Sequence, residues 1–156
     1  MFNTRHLLLL PCVLLLACSK NDSDDVQPDA VPQAVRTSFA TRFPTVTDLD
    51  WEKQGANYEA DFKVNAVDHD ALLDPAGTVL MYKYDIATTD LPAAVQAALA
   101  QNHAGLRLDD VETRFQGSST ETSFYQVELD VADPQPDRKL VYSADGQEVS
   151  QPAYWD

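Results

Sequence analysis

Cysteine is scarce in this chain, and its two cysteines, Cys12 and Cys18, both lie near the start. Because none follows Cys18, the remainder has no intramolecular disulfide and must be stabilised by its core. Basic residues are also few, since 11 Lys and Arg stand against 25 Asp and Glu for a formal net charge of −14. Such a surface repels phosphate backbones, which excludes nucleic acid as a partner.

Sequence motifs of catalysis are missing as well. The chain has no His-Glu-x-x-His, no Gly-x-Ser-x-Gly and no glycine loop of the kind that binds phosphate. The acidic run Asp22, Asp24 and Asp25 lacks the glycine and the distal glutamate of an EF-hand. The sequence therefore predicts no catalytic residue, no metal site and no cofactor.

The two histidines beyond the signal region have structural interpretations. His69 stands between Asp68 and Asp70, but on a strand the histidine would point away from both aspartates. We interpret these three as solvated strand residues. His103 falls at the end of a predicted helix, where a cationic side chain suits the helix dipole.

The first residues have the pattern of an export signal. Arg5 precedes an apolar run over 7–17, which is much shorter than the roughly 20 residues of a membrane-spanning helix. The run ends in Leu-Leu-Ala-Cys, which resembles the lipobox of bacterial lipoproteins. The sequence predicts a signal peptide over 1–17 and lipid attachment at Cys18, with an ordinary signal peptide as the alternative. The expected location is the bacterial cell envelope, anchored in the outer membrane and facing the periplasm or the surface.

The polar, acidic segment 18–30 has almost no large apolar residues, so it predicts a flexible tether. Two similar segments follow it further along the chain, 31–43 and 91–103. Apolar or small residues recur there at helical spacing, and each segment has a proline near its start. Pro44 ends the first predicted helix.

Alternating strands follow each predicted helix. Apolar residues at 58, 60, 62 and 64 and again at 125, 127, 129 and 131 alternate with polar ones, which is typical of antiparallel strands covered on one face. Turns at 74–77 and 143–146 precede a final strand in each half. The extra residues of the second half fall in polar segments at 116–121 and 133–137, where insertions are tolerated. We predict two repeats, 31–88 and 89–151, and a tail over 152–156.

This doubled pattern resembles the family of β-lactamase-inhibitor-like, PepSY-like lipoproteins. The resemblance covers about 30–150 and rests on Val-Pro-x-x-Val at 31–35, Phe-Pro at 43–44, Trp51, Tyr-Glu-Ala-Asp-Phe at 58–62, Leu-Asp-x-x-Gly at 73–77, Leu-Pro-x-x-Val at 91–95 and Tyr-x-Val at 125–127. It implies an α+β fold in which two helices pack on one face of a curved antiparallel sheet of about eight strands. The second half departs from the pattern at Val111, which stands where Trp51 does, and at Ala104, which stands where Pro44 does. We expect Trp51 in the core.

A non-enzymatic binding module is the favoured function. We expect the sheet face opposite the helices to bind an unidentified protein, peptide or glycan, with the candidate residues Glu59, Asp61, Tyr82, Tyr84, Glu128 and Asp130. Inhibition of β-lactamases does not follow from the resemblance, because function depends on the site and not on the fold. Two alternatives stay open: a hydrolase or metal-dependent enzyme whose site forms only in the fold, and a structural envelope protein without a discrete ligand.

Overall fold

The computed structural model describes residues 24–121 and 124–156. The predicted signal peptide, Cys18 and the first part of the predicted tether lie outside these residues. In the described part of the chain, no helix is both long enough and apolar enough to cross a membrane.

Two helices and eight strands make up the described chain, as the sequence predicted. In chain order they are α1 (Gln33–Arg42), β1 (Thr47–Gln54), β2 (Asn57–Val64), β3 (Val67–Leu73), β4 (Val79–Asp85), a short 3-10 turn (Thr88–Asp90), α2 (Ala93–Asn102), β5 (Arg107–Gln116), β6 (Phe124–Asp130), β7 (Arg138–Tyr142) and β8 (Glu148–Val149). The two predicted insertion segments fall in or beside the connections β5–β6 and β6–β7.

The strands form one curved sheet in the order β1 to β8, and each pairs antiparallel with the next. Helix α1 packs Val35 and Phe39 against Phe62 and the rest of the first half. Helix α2 packs Val95 and Leu99 against β5, β6 and β7. The predicted α+β fold, with both helices on one side of the sheet, is confirmed.

The two helices begin and end in the same way. Pro32 and Pro92 are the N-cap residues, where the missing N–H costs nothing. Each helix closes with a backbone hydrogen bond four residues back, from Phe43 to Phe39 and from His103 to Leu99. The Nε2 atom of His103 also lies 3.4 Å from a carboxylate oxygen of Glu148.

The tight turn before the last strand of each half fits against the helix of that half. Gly77 has φ +87°, and a Cβ there would lie 2.6 Å from the carbonyl oxygen of Ala34 in α1. Gly146 has φ +84°, and a Cβ there would lie 2.5 Å from the carbonyl oxygen of Ala94 in α2. Only glycine fits either position, because another residue would combine a strained backbone with a steric clash.

Trp51 lies in the core as expected, 4% exposed, with its ring edge-on to Phe39 at a centroid distance of 5.1 Å. The chain before α1 packs along the same strand. Val26 donates a backbone hydrogen bond to Trp51, and Lys53 donates one to Asp24. Residues 24–26 of the predicted tether therefore lie beside β1, and Asp25 forms a bridge with Glu52.

Candidate partner-binding face

The candidate site lies on the sheet face that the helices leave uncovered, here called the outer face. Residues that alternate with core side chains such as Phe62 and Leu129 project from it. Four of the six residues predicted for partner binding do so: Glu59, Asp61, Glu128 and Asp130. The first two lie on β2 and the others on β6, so three strands separate the pairs.

Tyr82 and Tyr84 lie on the helix side, so the prediction that one of them supports the acidic face is wrong. The ring of Tyr82 lies 5.0 Å from that of Phe43, and its hydroxyl lies 2.7 Å from Nδ1 of His69. Tyr82 is paired with Ala71 and Tyr84 with His69, and paired residues of neighbouring strands lie on the same face. Both tyrosines therefore lie on the face of the core residues, and the β-bulge at Leu80 adds Val79 to that face.

His69 is 8% exposed, which corrects the prediction of a solvated strand residue. Its ring stacks on Phe62 at 5.4 Å and lies 5.1 Å from Tyr84. Burial lowers the pKa of His69, which favours the neutral imidazole. Asp68 and Asp70 pair with Lys63 and Lys83 across neighbouring strands and point to the outer face, as the strand period predicted.

A buried network of polar side chains occupies the centre of the outer face. The Lys83 ammonium lies 2.8 Å from Glu112 and 3.5 Å from Asp70. Gln126, which is fully buried, donates to Glu112 at 2.8 Å and accepts from Arg114 at 3.0 Å. Lys83, Glu112 and Arg114 are exposed by only 6%, 3% and 3%. Buried charges require partners of this kind, because the loss of hydration is otherwise uncompensated.

The chain segment 150–156 crosses this network and covers it. The side-chain amide of Gln126 makes two hydrogen bonds to the backbone of Trp155, donating to its carbonyl at 2.8 Å and accepting from its N–H at 3.0 Å. Arg114 donates to the carbonyl of Ala153 at 2.7 Å. Trp155 is 6% exposed, and the Lys83 ammonium lies 5.2 Å from the centroid of its ring. The outer face is thus open only beside this segment.

Carboxylates crowd the part of the outer face formed by β1, β2 and β3. Burial raises the pKa of Glu59 to about 7, with a further rise from Asp70, while Lys83 opposes it. Burial likewise raises the pKa of Asp70 to about 6. For Asp61, burial and then Asp68 raise the pKa. The lysines nearby leave negative charge in excess at neutral pH, and a cationic group placed here would relieve the repulsion.

A second group of carboxylates lies on β4 and β5 of the outer face. It consists of Asp85, Asp110 and Glu112, whose carboxylate oxygens lie within 4.8 Å of one another. Burial raises the pKa of Asp85 to about 6, and the charges of Asp110 and Glu112 add to the effect. Oxygen ligands of this kind suit a hard divalent cation. The ammonium of Lys83, bonded to Glu112, already supplies positive charge there.

A separate cleft of about 590 Å³ opens on the helix side, between the two helix-covered clusters. His69, Tyr84 and Tyr125 line it, together with Ile86 and Asp90. Tyr84 therefore belongs to a different concavity from the acidic residues with which the sequence grouped it.

The structure adds functional candidates that sequence reasoning missed. Lys83 and Arg114 lie at the centre of the outer face and were not predicted there, whereas the strand period of β6 already places Gln126 on that face. One signal was present, because Lys83, Glu112 and Arg114 are charged residues within strands that otherwise have large apolar neighbours. The packing of the segment 150–156 on these residues is a tertiary contact, which no local sequence pattern indicates.

Comparison with solved structures finds the same fold in bacterial proteins. A protein from Bacteroides eggerthii described as periplasmic has a TM-score of 0.69 at 20% identity, over 76% of this chain and 86% of that one. A DUF2874 family protein from Bacteroides uniformis has a TM-score of 0.68 at 22% identity, over 76% and 86%. A BLIP-like protein from Bacteroides fragilis has a TM-score of 0.64 at 20% identity, over 83% and 89%. These likenesses establish a BLIP-like fold. The sequence matches no family model and no curated protein.

Proposed function

We propose that this protein is a non-enzymatic binding module of the bacterial cell envelope, which binds a positively charged polypeptide on the outer face. The observation that carries the proposal is the seating of 150–156, since Gln126 and Arg114 already bind polypeptide backbone there. The carboxylates beside that segment supply the negative charge that a cationic partner would neutralise.

The export signal and the fold support the cellular location. Leu-Leu-Ala-Cys at 15–18 favours lipid attachment at Cys18, and a structural neighbour of the same fold is described as periplasmic. We place the protein in the envelope, anchored by lipid in the outer membrane.

The two halves are in this proposal a tandem repeat of PepSY-like units. Each half runs helix, then four strands. The glycine turn of each half contacts its own helix at matching positions, Gly77 at Ala34 and Gly146 at Ala94. Duplication of one unit explains why both contacts need the same residue type.

Charge and burial have different tasks in such an interface. Carboxylates at the rim speed and orient the encounter, whereas well-packed, desolvated contacts supply most of the affinity. Asp61 and Glu128, which flank the covered centre from β2 and β6, are suited to the first task. Glu128 lies only 4.0 Å from Lys139, so its charge is partly compensated.

A charge-reversal pair tests the proposal. The partner is captured by crosslinking the lipid-anchored chain in intact envelopes, and binding is then measured by surface plasmon resonance at several salt concentrations. With Asp61→Lys and Glu128→Lys, we expect the on-rate at low salt to fall roughly tenfold and its salt dependence to flatten.

The matched control reverses Asp90 and Glu121, two exposed carboxylates outside the outer face, and changes the net charge equally. It should leave the on-rate within about twofold of the original. Equal on-rates for both double variants would show that the carboxylates of the outer face serve solubility alone.

A further inference from the structure

The segment 150–156 is bound through its backbone. Three hydrogen bonds hold the backbone of Ala153 and Trp155. Their partners are the side chains of Arg114 and Gln126 and not the backbone of a neighbouring strand. The paired hydrogen bonds of Gln126 to the N–H and carbonyl of one residue reproduce what an adjacent strand would offer. Such contacts recognise any extended backbone and depend little on which chain supplies it.

The receptor side is built from buried polar groups. Lys83, Glu112, Arg114 and Gln126 are each less than a tenth exposed and hold one another in place. Apolar residues of similar size would cover a fixed tail at least as well, because burying ion pairs brings little net stability. A preorganised set of donors and acceptors is instead suited to a segment that binds and leaves.

Aromatic side chains complete the contact. Trp155 is buried, and the centroid of its ring lies 5.2 Å from the Lys83 ammonium. The centroid of the Tyr154 ring lies 5.3 Å from the Lys139 ammonium. Asp156 forms an ion pair with the same Lys139. These contacts therefore favour an extended segment in which two successive aromatic residues are followed by an acidic one.

We infer that the seat formed by Lys83, Arg114, Gln126 and Lys139 is a recognition site for an extended aromatic–aromatic–acidic segment of another polypeptide, and that 153–156 is an intrachain occupant which this segment displaces. The inference rests on the proposed function in taking the outer face as the binding surface. It adds that the cationic partner occupies the centre of that face through one short segment, whose acidic residue pairs with Lys139 while its cationic residues lie against the carboxylates beside it.

An attached occupant competes at a high effective concentration. The segment 153–156 occupies the seat most of the time in the intact chain. A partner segment therefore binds the intact chain more weakly than a variant whose seat is empty, because its apparent affinity is proportional to the fraction of molecules in which the seat is free. Emptying the seat should therefore raise the affinity for a segment supplied in trans.

The experiment uses the full-length protein with Tyr154→Ala and Trp155→Ala, and a fluorescent peptide Gln-Pro-Ala-Tyr-Trp-Asp as the probe. By fluorescence anisotropy, we expect the peptide to bind the double variant at least tenfold more tightly than the unaltered protein. A peptide with alanine at both aromatic positions keeps the backbone contacts but loses the aromatic ones; it is the matched control and should bind the double variant at least tenfold more weakly. Equal affinities for the two proteins, or no binding of the aromatic peptide at about 1 mM, would overturn the inference.

A second measurement needs no substitution. The chain has two tryptophans, Trp51 and Trp155, so fluorotryptophan labelling gives two fluorine signals. Excess peptide should move the Trp155 signal toward that of a solvent-exposed ring while the Trp51 signal stays fixed. A Trp155 signal that stays unmoved together with failed trans binding would reject the seat but leave the charge-reversal test of the proposed function standing.

Discussion

Individual carboxylates on the outer face have raised pKa values, so holding them ionised costs free energy of folding. Glu59, Asp61 and Asp70 stand close together across β2 and β3, and burial raises the pKa of each. Lys83 lowers the pKa of all three but is itself bonded to Glu112. Folding therefore concentrates negative charge that the unfolded chain would spread through solvent.

Substitution of Glu59 tests this cost. Its pKa is 4.5 in an unperturbed carboxyl and about 7 in the fold, so the folded state binds the proton more tightly. The contribution of the Glu59 carboxyl to the free energy of unfolding is therefore most favourable below about pH 4.5, and it is lost as the pH rises toward 7. Glu59→Gln should raise the Tm at pH 8 and change it little at pH 4.5, as measured by thermal denaturation.

Glu121→Gln, at an exposed glutamate in the β5–β6 connection, is the matched control. It should shift the Tm by a similar small amount at both pH values. A gain for Glu59→Gln that is equal at pH 4.5 and pH 8 would contradict the account.

At the scale of elements, the turn of each half is locked to its helix by one glycine. Gly77→Ala and Gly146→Ala should each lower the free energy of unfolding by about 2–4 kcal/mol, because a positive φ and a clash with a helix carbonyl combine. Gly55→Ala, with φ +62° and open space around the position, should cost about 1 kcal/mol. Urea denaturation measures all three, and equal losses would show that the helix contact is unimportant.

Helices and strands were predictable because their patterns are local. The stripe that includes Val35 and Phe39 identifies α1, and the alternation around Phe62 identifies β2, with boundaries correct to within about two residues. Pro44 and the turn glycines mark where elements end. Those signals lie in the residues of each element itself, so no tertiary information is needed to read them.

The side on which the tyrosines lie follows from the same rules, because Tyr82 and Tyr84 alternate with the polar Lys83 and share one face. The sequence does not indicate the bulge at Leu80, which puts Val79 on the helix side three residues before Tyr82. The docking of Trp155 on Gln126 was missed for a related reason, since it joins residues far apart in sequence.

Attachment to a membrane through Cys18 is a prediction about the complete chain. We predict that Cys18→Ser abolishes membrane retention and leaves the folded domain intact, because Cys18 would carry the lipid and lies before the first described element. Detergent fractionation with lipid labelling measures the loss, and circular dichroism checks the fold. Cys12→Ser is the control and should leave labelling unchanged, whereas continued labelling of Cys18→Ser would reject the anchor.

The pairing of 24–26 with β1 has a consequence for self-association. An open sheet has two edges, and a bare edge strand is a template on which a second copy can add its own strands. Here the backbone of Asp24 and Val26 occupies bonding positions along β1, while β8 at the other edge is only two residues long. The described sheet can therefore keep the open parts of its outer face in solvent while offering little edge along which copies could polymerise.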